Sequence, residues 1–346
     1  MTEKDKICYI RPKRALRRLK AAEEENITAY IYGVSGIGKT ELIVRYLKQK
    51  KYQMFDAGRV SAEELEGIAE SEKRKIVVID NLHDLAMEEE CDDIKEAIIS
   101  LIEREDIWLI LSGRCAVPPW LAAVRYREVF YVIEESELLF DEAQENQYIE
   151  YTKILLTPEQ RKVSRNYCLG VPLGWYITWD IYKQIQLREG LKEGEYFSDK
   201  LFSELIDRGL SQMWDYLDWH VYDNWDIRIQ EFLMEVSIVD CFTAHLAEMI
   251  TGINNVESIL SRVKWLGNFM VERTEKDEVV YEFRREMRIS MRRRLKRKYN
   301  KEQIHGTGCI SGCAAGRKSS GFMCGTGGQK YTDCGSDAGK RAPCQQ

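Results

Sequence analysis

Eight consecutive residues, Gly33-Val34-Ser35-Gly36-Ile37-Gly38-Lys39-Thr40, fit the spacing Gly-x-x-x-x-Gly-Lys-Thr without a mismatch. Glycines at these positions let the backbone wrap a phosphate group without Cβ clashes, so the amides of 35–40 turn inward. A helix beginning at this point adds a favourable dipole for an anion. Lys39 then reaches the β- and γ-phosphates, and the Thr40 hydroxyl is a ligand for Mg²⁺. The chemistry this implies is binding of ATP or ADP with Mg²⁺ in a P-loop. Gly33, Ser35, Gly36, Ile37, Gly38, Lys39 and Thr40 are the binding residues.

Ile76-Val77-Val78-Ile79-Asp80 supplies the second half of such a site. A carboxylate at the C-terminal end of a strand in the same sheet sits beside the phosphate crevice and holds Mg²⁺ with Thr40. The alternative for Asp80 is an ordinary strand-end cap on the next turn. Hydrolysis needs a group that orients the attacking water, usually a carboxylate close after the strand. Asn81 stands there instead, and it cannot take a proton. Asp84 and His83 are the remaining candidates, with a purely structural hydrogen-bonding role as the alternative for His83. The expected activity is therefore slow or absent ATP hydrolysis. Arg114, in Ser112-Gly113-Arg114, is a cation placed to sense a γ-phosphate, or else a solvated loop arginine.

The elements that must position these groups follow from periodicity. Ile27–Tyr32 is β-branched and aromatic and ends at Gly33, which reads as a strand. Glu41–Leu47 has apolar residues at helical spacing. Further strands are expected at Tyr52–Asp56, Lys75–Asp80, Ile107–Leu111 and Arg127–Ile133, with helices around Ala62–Glu70 and over 92–104. Consecutive apolar residues suit strands buried on both faces, and strand–helix alternation predicts a parallel α/β sheet. A basic helical segment precedes them, with Leu16 and Leu19 set against Arg14, Arg17 and Arg18. Helices are expected over 141–152, 158–168, 174–188 and 198–218, with Trp214, Trp219 and Trp225 as core aromatics. Helices at 228–236, 243–250 and 255–266, a hairpin over 268–273 and 279–283, and a basic helix over 284–299 outline a winged-helix domain. The expected division is 1–140 (P-loop ATPase), 141–225 (helical lid), 226–304 (winged helix) and 305–346 (tail).

The chain has 346 residues, room for two or three domains of about 100–200 residues each. Hydrophobic residues make up 44% and charged residues 31%, as in ordinary globular proteins. Lys and Arg total 51 against 57 Asp and Glu, a net charge of −6, so any nucleic-acid contact must come from a local basic patch. No apolar run approaches the roughly 18 residues of a membrane span, and the first residues lack a signal peptide's apolar core. A cytoplasmic location with reduced thiols is expected. Cys8, Cys91, Cys115, Cys168 and Cys241 are scattered singly, as small buried or neutral residues. From Gly306 onward ten residues are Gly and five are Cys, with no Leu, Val or Trp. Such a tail is expected to be disordered, its cysteine spacing matches no common zinc pattern, and a frameshifted reading of a longer gene is the alternative account.

Taken in order, these residues resemble the signal-transduction ATPases with numerous domains (STAND), in the branch of large LuxR-type regulators. Arg14-Ala15-Leu16-Arg17-Arg18-Leu19 resembles the family's Arg-x-x-Leu segment before the P-loop. Asp80-Asn81-Leu82-His83 resembles its Asp-Asp-x-His strand end, and Ser112-Gly113-Arg114 its sensor arginine. Leu138–Ala143 resembles the entry to the lid, and Gly170-Val171-Pro172-Leu173 the turn whose proline lies near the nucleotide. Glu231-Phe232-Leu233 and Asn268-Phe269 fit the winged-helix part. The resemblance implies a switch held closed by ADP and opened by an inducer with ATP, which drives self-association. It implies Arg14, Arg114 and Pro172 at the nucleotide. Arg284 takes the place of a winged-helix histidine that touches the β-phosphate, and Asn81 replaces an acidic residue. The family continues into a helical-repeat sensor and a helix-turn-helix, so the resemblance implies a product truncated before both.

Two other readings compete. One is another AAA-type ATPase, with the same order of α/β domain, lid and winged helix. The other is a DNA-binding module whose phosphate contacts come from Arg284, Arg285, Arg288, Arg292, Arg293, Arg294, Lys296, Arg297 and Lys298. The plainer account of that stripe is a helix facing solvent or a neighbouring domain.

Overall fold

A computed structural model describes residues 9–68, 73–85, 91–121, 124, 130–192, 194–266, 270–275 and 278–298. Five strands form one parallel sheet: β1 (Ala29–Tyr32), β2 (Gln53–Asp56), β3 (Lys75–Asp80), β4 (Ile107–Gly113) and β5 (Tyr131–Ile133), in the order β2-β3-β4-β1-β5. β4 is buried at every position and pairs with β1 on one side and β3 on the other. Side chains alternate across the sheet. Val77, Ile79, Leu109 and Leu111 enter one apolar cluster, while Val78, Trp108, Ile110 and Ile31 enter the cluster on the opposite face. Burial on both faces explains why these strands read as unbroken apolar runs.

Helices α1 (Lys13–Glu25), α2 (Lys39–Tyr46), α3 (Ala62–Glu66) and α4 (Asp92–Ile102) flank the sheet. In the basic N-terminal segment α1 begins after Pro12, its cap residue, whose ring fixes φ there, and residues 1–8 lie outside the described residues. It buries Ala15, Leu19 and Ala22 and leaves Arg14, Arg17 and Arg18 outward. Of the expected strand 127–133, Arg127–Glu128–Val129 lie outside the described residues.

Four helices follow: α5 (Glu142–Thr152), α6 (Pro158–Cys168), α7 (Pro172–Glu189) and α8 (Asp199–His220). Capping boxes Asp141/Gln144 and Thr157/Gln160 start the first two, and Pro158 and Pro172 sit in the first turns of α6 and α7. Their shared cluster includes Trp175, Tyr182, Phe197, Phe202 and Leu205. Further along α8, Leu217 packs in the next cluster with Val221, Tyr222 and Trp225, so this one helix ties two cores together. Trp214 and Trp225 are buried as expected, but Trp219 is 75% exposed. It faces away because the apolar positions that meet the next core, Leu217 and Val221, lie on another side of the chain's path.

The last unit comprises α9 (Ile227–Val236), β6 (Cys241–Thr243), α10 (Ala244–Thr251), α11 (Glu257–Leu266), β7 (Met270–Glu275), β8 (Glu278–Phe283) and α12 (Arg285–Lys298). The expected two-stranded hairpin is a three-stranded antiparallel sheet in the order β6-β8-β7. β6 escaped the sequence because it is three residues long and Thr243 doubles as the cap of α10. Met287, Met291 and Leu295, at four-residue steps, seat α12 in the core. Asn268 and Phe269, the tail 305–346 and its cysteines lie outside the described residues. Among the described residues no helix is long and apolar enough to cross a membrane, and no cluster of metal-ligating side chains stands out.

Candidate functional site

The carboxyl ends of β1, β3 and β4 open on one cleft of about 360 Å³. Gly36 and Gly38 have φ of 83° and 94°, a region costly for any residue with a Cβ. Gly38 also caps α2, and with Lys39 and Thr40 it brings the helix N-terminus, where backbone amides lack intrahelical partners, to the cleft wall. The Lys39 ammonium donates to the carbonyls of Gly33 (2.8 Å) and Val34 (3.3 Å). Burial lowers its pKa to about 8, with Asp80 pulling the other way. Ile37 is buried beneath the loop in the sheet's core.

β3 lies two strands from β1, and the intervening β4 supplies the bridge between them. The Thr40 hydroxyl donates to Asp80 Oδ2 at 2.6 Å. The Ser112 hydroxyl, fully buried at the end of β4, donates to Asp80 Oδ1, which also accepts the Asn81 amide at 2.9 Å. Asp80 is thereby fixed by three donors and presents a carboxylate edge to Thr40. That hydroxyl–carboxylate pair is the donor set a hard divalent cation takes. The positive-φ glycines, the start of α2 at Gly38, Lys39 and this pair together fit the phosphates of a nucleotide with Mg²⁺.

Among the described residues, no group suited to accept a proton from water stands behind this pair. Asn81 adopts φ 63° and turns its side-chain amide to Asp56 Oδ2 at 2.8 Å. His83 is 4% exposed, its Nε2 lies 3.4 Å from Asp84, and its Nδ1 has no hydrogen-bond partner. Burial and the nearby Arg114 and Lys39 push its pKa down to about 2, so it is a poor base. Neither His83 nor Asp84 lines the cleft; Asp84 packs against Gly58 instead. Glu41 does line it, but its carboxylate is held by Arg45 on the outer turn of α2.

Arg114 lines the cleft, and its guanidinium donates to the carbonyl of His220 at 2.9 Å, the last residue of α8. Burial lowers its pKa, while Asp84, Tyr216 and Asp80 oppose that shift. Tyr216 and His220, which sequence reasoning did not single out, complete the wall. The Ser35 hydroxyl and the Tyr216 hydroxyl are 2.9 Å apart. Pro172 begins α7 but does not line the cleft; its neighbour Leu173 touches the loop, donating its amide to the Gly36 carbonyl at 3.2 Å. A Cβ on Gly36 would fall 2.6 Å from the Leu173 side chain.

Two expected binding residues lie elsewhere. Arg14 lines a separate shallow groove with Arg17, Arg18 and Tyr131. Arg284 pairs with Glu135 at 3.4 Å, and Glu135 in turn accepts the amide of Val34 at 3.1 Å. Four basic residues of the stripe on α12 are engaged inside the chain. Arg288 and Arg292 meet Asp240, Arg294 meets Asp218 and Asp223, and Lys298 meets Glu231.

Residues 218–303 match the MalT winged helix domain. The match leaves the P-loop sheet and most of the helical segment outside it. No curated protein matches the chain by sequence. Among solved structures, a Walker-type ATPase of Pyrococcus abyssi superposes with a TM-score of 0.59 at 13% identity, covering 82% of this chain and 96% of that one. The RuvB Holliday junction branch migration motor of Thermotoga maritima gives a TM-score of 0.44 at 14% identity, over 79% and 90%. A Signal Transduction ATPase with Numerous Domains from Pyrococcus horikoshii, with a tetratricopeptide repeat sensor, gives 0.36 at 15% identity, over 87% of this chain and 45% of that one. At these identities the likeness is one of fold, and the first of the three carries it: a Walker-type ATPase fold, with the winged helix at 218–303 given by the family match.

Proposed function

We propose that the chain is an ATP/ADP-binding switch, the nucleotide-binding part of a LuxR-type transcriptional regulator, with slow or no hydrolysis. The observation that carries this reading is the 2.6 Å contact of Thr40 with Asp80 at the foot of a positive-φ glycine loop. Bound Mg²⁺ would offset phosphate charge there. Thr40 and Asp80 would hold the ion, Lys39 would supply a partly desolvated cation, and amides of 35–40 would hold the phosphate oxygens. Asn81 gives the attacking water no base, so the bound nucleotide persists rather than turning over.

The switching element is α8. Tyr216 and His220 close the cleft over Ser35 and Arg114, at the place where a third phosphate would compete for Arg114. A nucleoside diphosphate leaves these contacts in place, whereas a triphosphate disturbs them, and the helix carries that change into the winged-helix core through Leu217 and Val221. The inducer and self-association that the STAND resemblance implies belong to the open form.

Turnover of [γ-³²P]ATP by the purified chain tests the hydrolytic half of the proposal. Release of phosphate below about 0.01 s⁻¹ fits a switch that holds its nucleotide. Turnover at the rate of a motor ATPase, several per second or more, would contradict it.

A further inference from the structure

Glu135 is an acid packed against the first residues of the glycine loop. It opens the single turn after β5, and it is 14% exposed. Its Oε2 accepts the amide of Val34, the second residue of the P-loop, and its Cα and Cβ come within 3.3 Å of where a Cβ on Gly33 would sit. It is also among the anions that act on the Lys39 ammonium, which itself grips the carbonyls of Gly33 and Val34. The start of the loop is thus held from one side by Lys39 and from the other by Glu135. The second oxygen of Glu135 meets Arg284, the residue that joins β8 to α12.

From this geometry we infer that Glu135 is a positioning residue that couples nucleotide affinity to docking of the winged-helix unit through Arg284. The inference rests on the nucleotide-binding reading. A carboxylate this close to the phosphate-holding lysine repels a polyphosphate, and the repulsion is relieved while Arg284 neutralises it. When the winged-helix unit leaves, Arg284 goes with it, Glu135 is unpaired, and the nucleotide is held more weakly. Linkage makes the effect reciprocal: a bound nucleotide strengthens the Arg284–Glu135 pair and so favours the docked arrangement. Arg284 acts on the phosphates through Glu135 and needs no contact of its own.

The test is a double-mutant cycle on the full chain, with ADP and Mg²⁺ affinity read by titration calorimetry. Arg284→Gln should weaken ADP binding about tenfold, and Arg284→Lys should restore it to within about threefold. In a Glu135→Gln background, whatever that change alone does to the loop, adding Arg284→Gln should alter ADP affinity by less than about twofold. ADP should also slow hydrogen exchange in β8 and at the start of α12, and Glu135→Gln should abolish that protection. Equal weakening by Arg284→Gln in both backgrounds, or none in either, would overturn the inference while leaving nucleotide binding intact. An unaltered chain that binds no ADP would overturn the reading beneath it, and the inference with it.

Discussion

The hydroxyls of Ser35 and Tyr216 lie 2.9 Å apart although 181 residues separate them in the chain. One belongs to the phosphate loop and the other to the last turns of α8, so the loop and the helix are joined directly. Tyr216→Phe removes that hydrogen bond and leaves the ring in place beside His220, whose ring centroid is 4.7 Å away. A single neutral hydrogen bond contributes about 1 kcal/mol, or roughly a fivefold change in an equilibrium. Release of a fluorescent ADP analogue should therefore speed up about fivefold in Tyr216→Phe, measured by stopped flow. An unchanged rate would mean that α8 does not retain the nucleotide.

Asp80 accepts from Thr40, Ser112 and the Asn81 amide, so its removal has two separable effects. Asp80→Asn keeps the shape but loses the charge that draws Mg²⁺. The expected result is loss of the Mg²⁺-dependent part of ADP affinity, about tenfold, with affinity in EDTA little changed. Calorimetric titrations with and without Mg²⁺ measure both. Equal losses in the two conditions would assign Asp80 a structural role alone.

The P-loop and Asp80 were legible in the sequence because each is a local pattern: glycines at fixed spacing, and an acid ending an apolar run. The sheet was legible for the same reason, since two-faced burial leaves continuous apolar stretches such as Ile76-Val77-Val78-Ile79. Long-range partners left no such trace. Glu135 is one acid in the run Glu134-Glu135-Ser136-Glu137, and nothing local says that it meets Val34 and Arg284. Tyr216 sits in a helix whose pattern reports its apolar face and not the neighbour it reaches. Trp219 shows the converse failure, an aromatic at helical spacing that the fold turns outward.

Lys39 gives a pH signature. Its pKa falls from 10.5 to about 8, chiefly because burial disfavours its charge. For a base shifted downward, the folded state resists the proton. The resulting cost is present below pH 8 and fades as pH rises toward 10.5, so this group favours the nucleotide-free fold at alkaline pH. Phosphates reverse the shift by favouring the ammonium. ADP affinity should then be flat below pH 8 and fall by up to about tenfold per unit above it, with uptake of a proton. Titrations at pH 9 in two buffers of different ionisation enthalpy detect that proton, and finding none would contradict the assignment of Lys39.

Arg294 fastens α12 to α8. It pairs with Asp218 and Asp223 and stacks 3.7 Å from the Tyr222 ring centroid, and both Arg294 and Asp218 are less than a fifth exposed. Arg294→Ala leaves two carboxylates unpaired, one of them partly buried, and removes the packing on Tyr222, at a cost of about 2 kcal/mol. Arg294→Met keeps packing on Tyr222 and should lose less. Urea unfolding followed by tryptophan fluorescence measures both, and a loss under about 0.5 kcal/mol for the alanine variant would show the network to be incidental.

The central claim is that the glycine loop holds a nucleotide and keeps it. The most direct measurement is to purify the chain without added nucleotide, denature it, and separate the supernatant by anion exchange against ATP and ADP standards, with Lys39→Ala treated in parallel. Near-stoichiometric ADP is expected from the unaltered chain and none from the variant. No nucleotide in either preparation, together with no binding of added ATP or ADP, would contradict it.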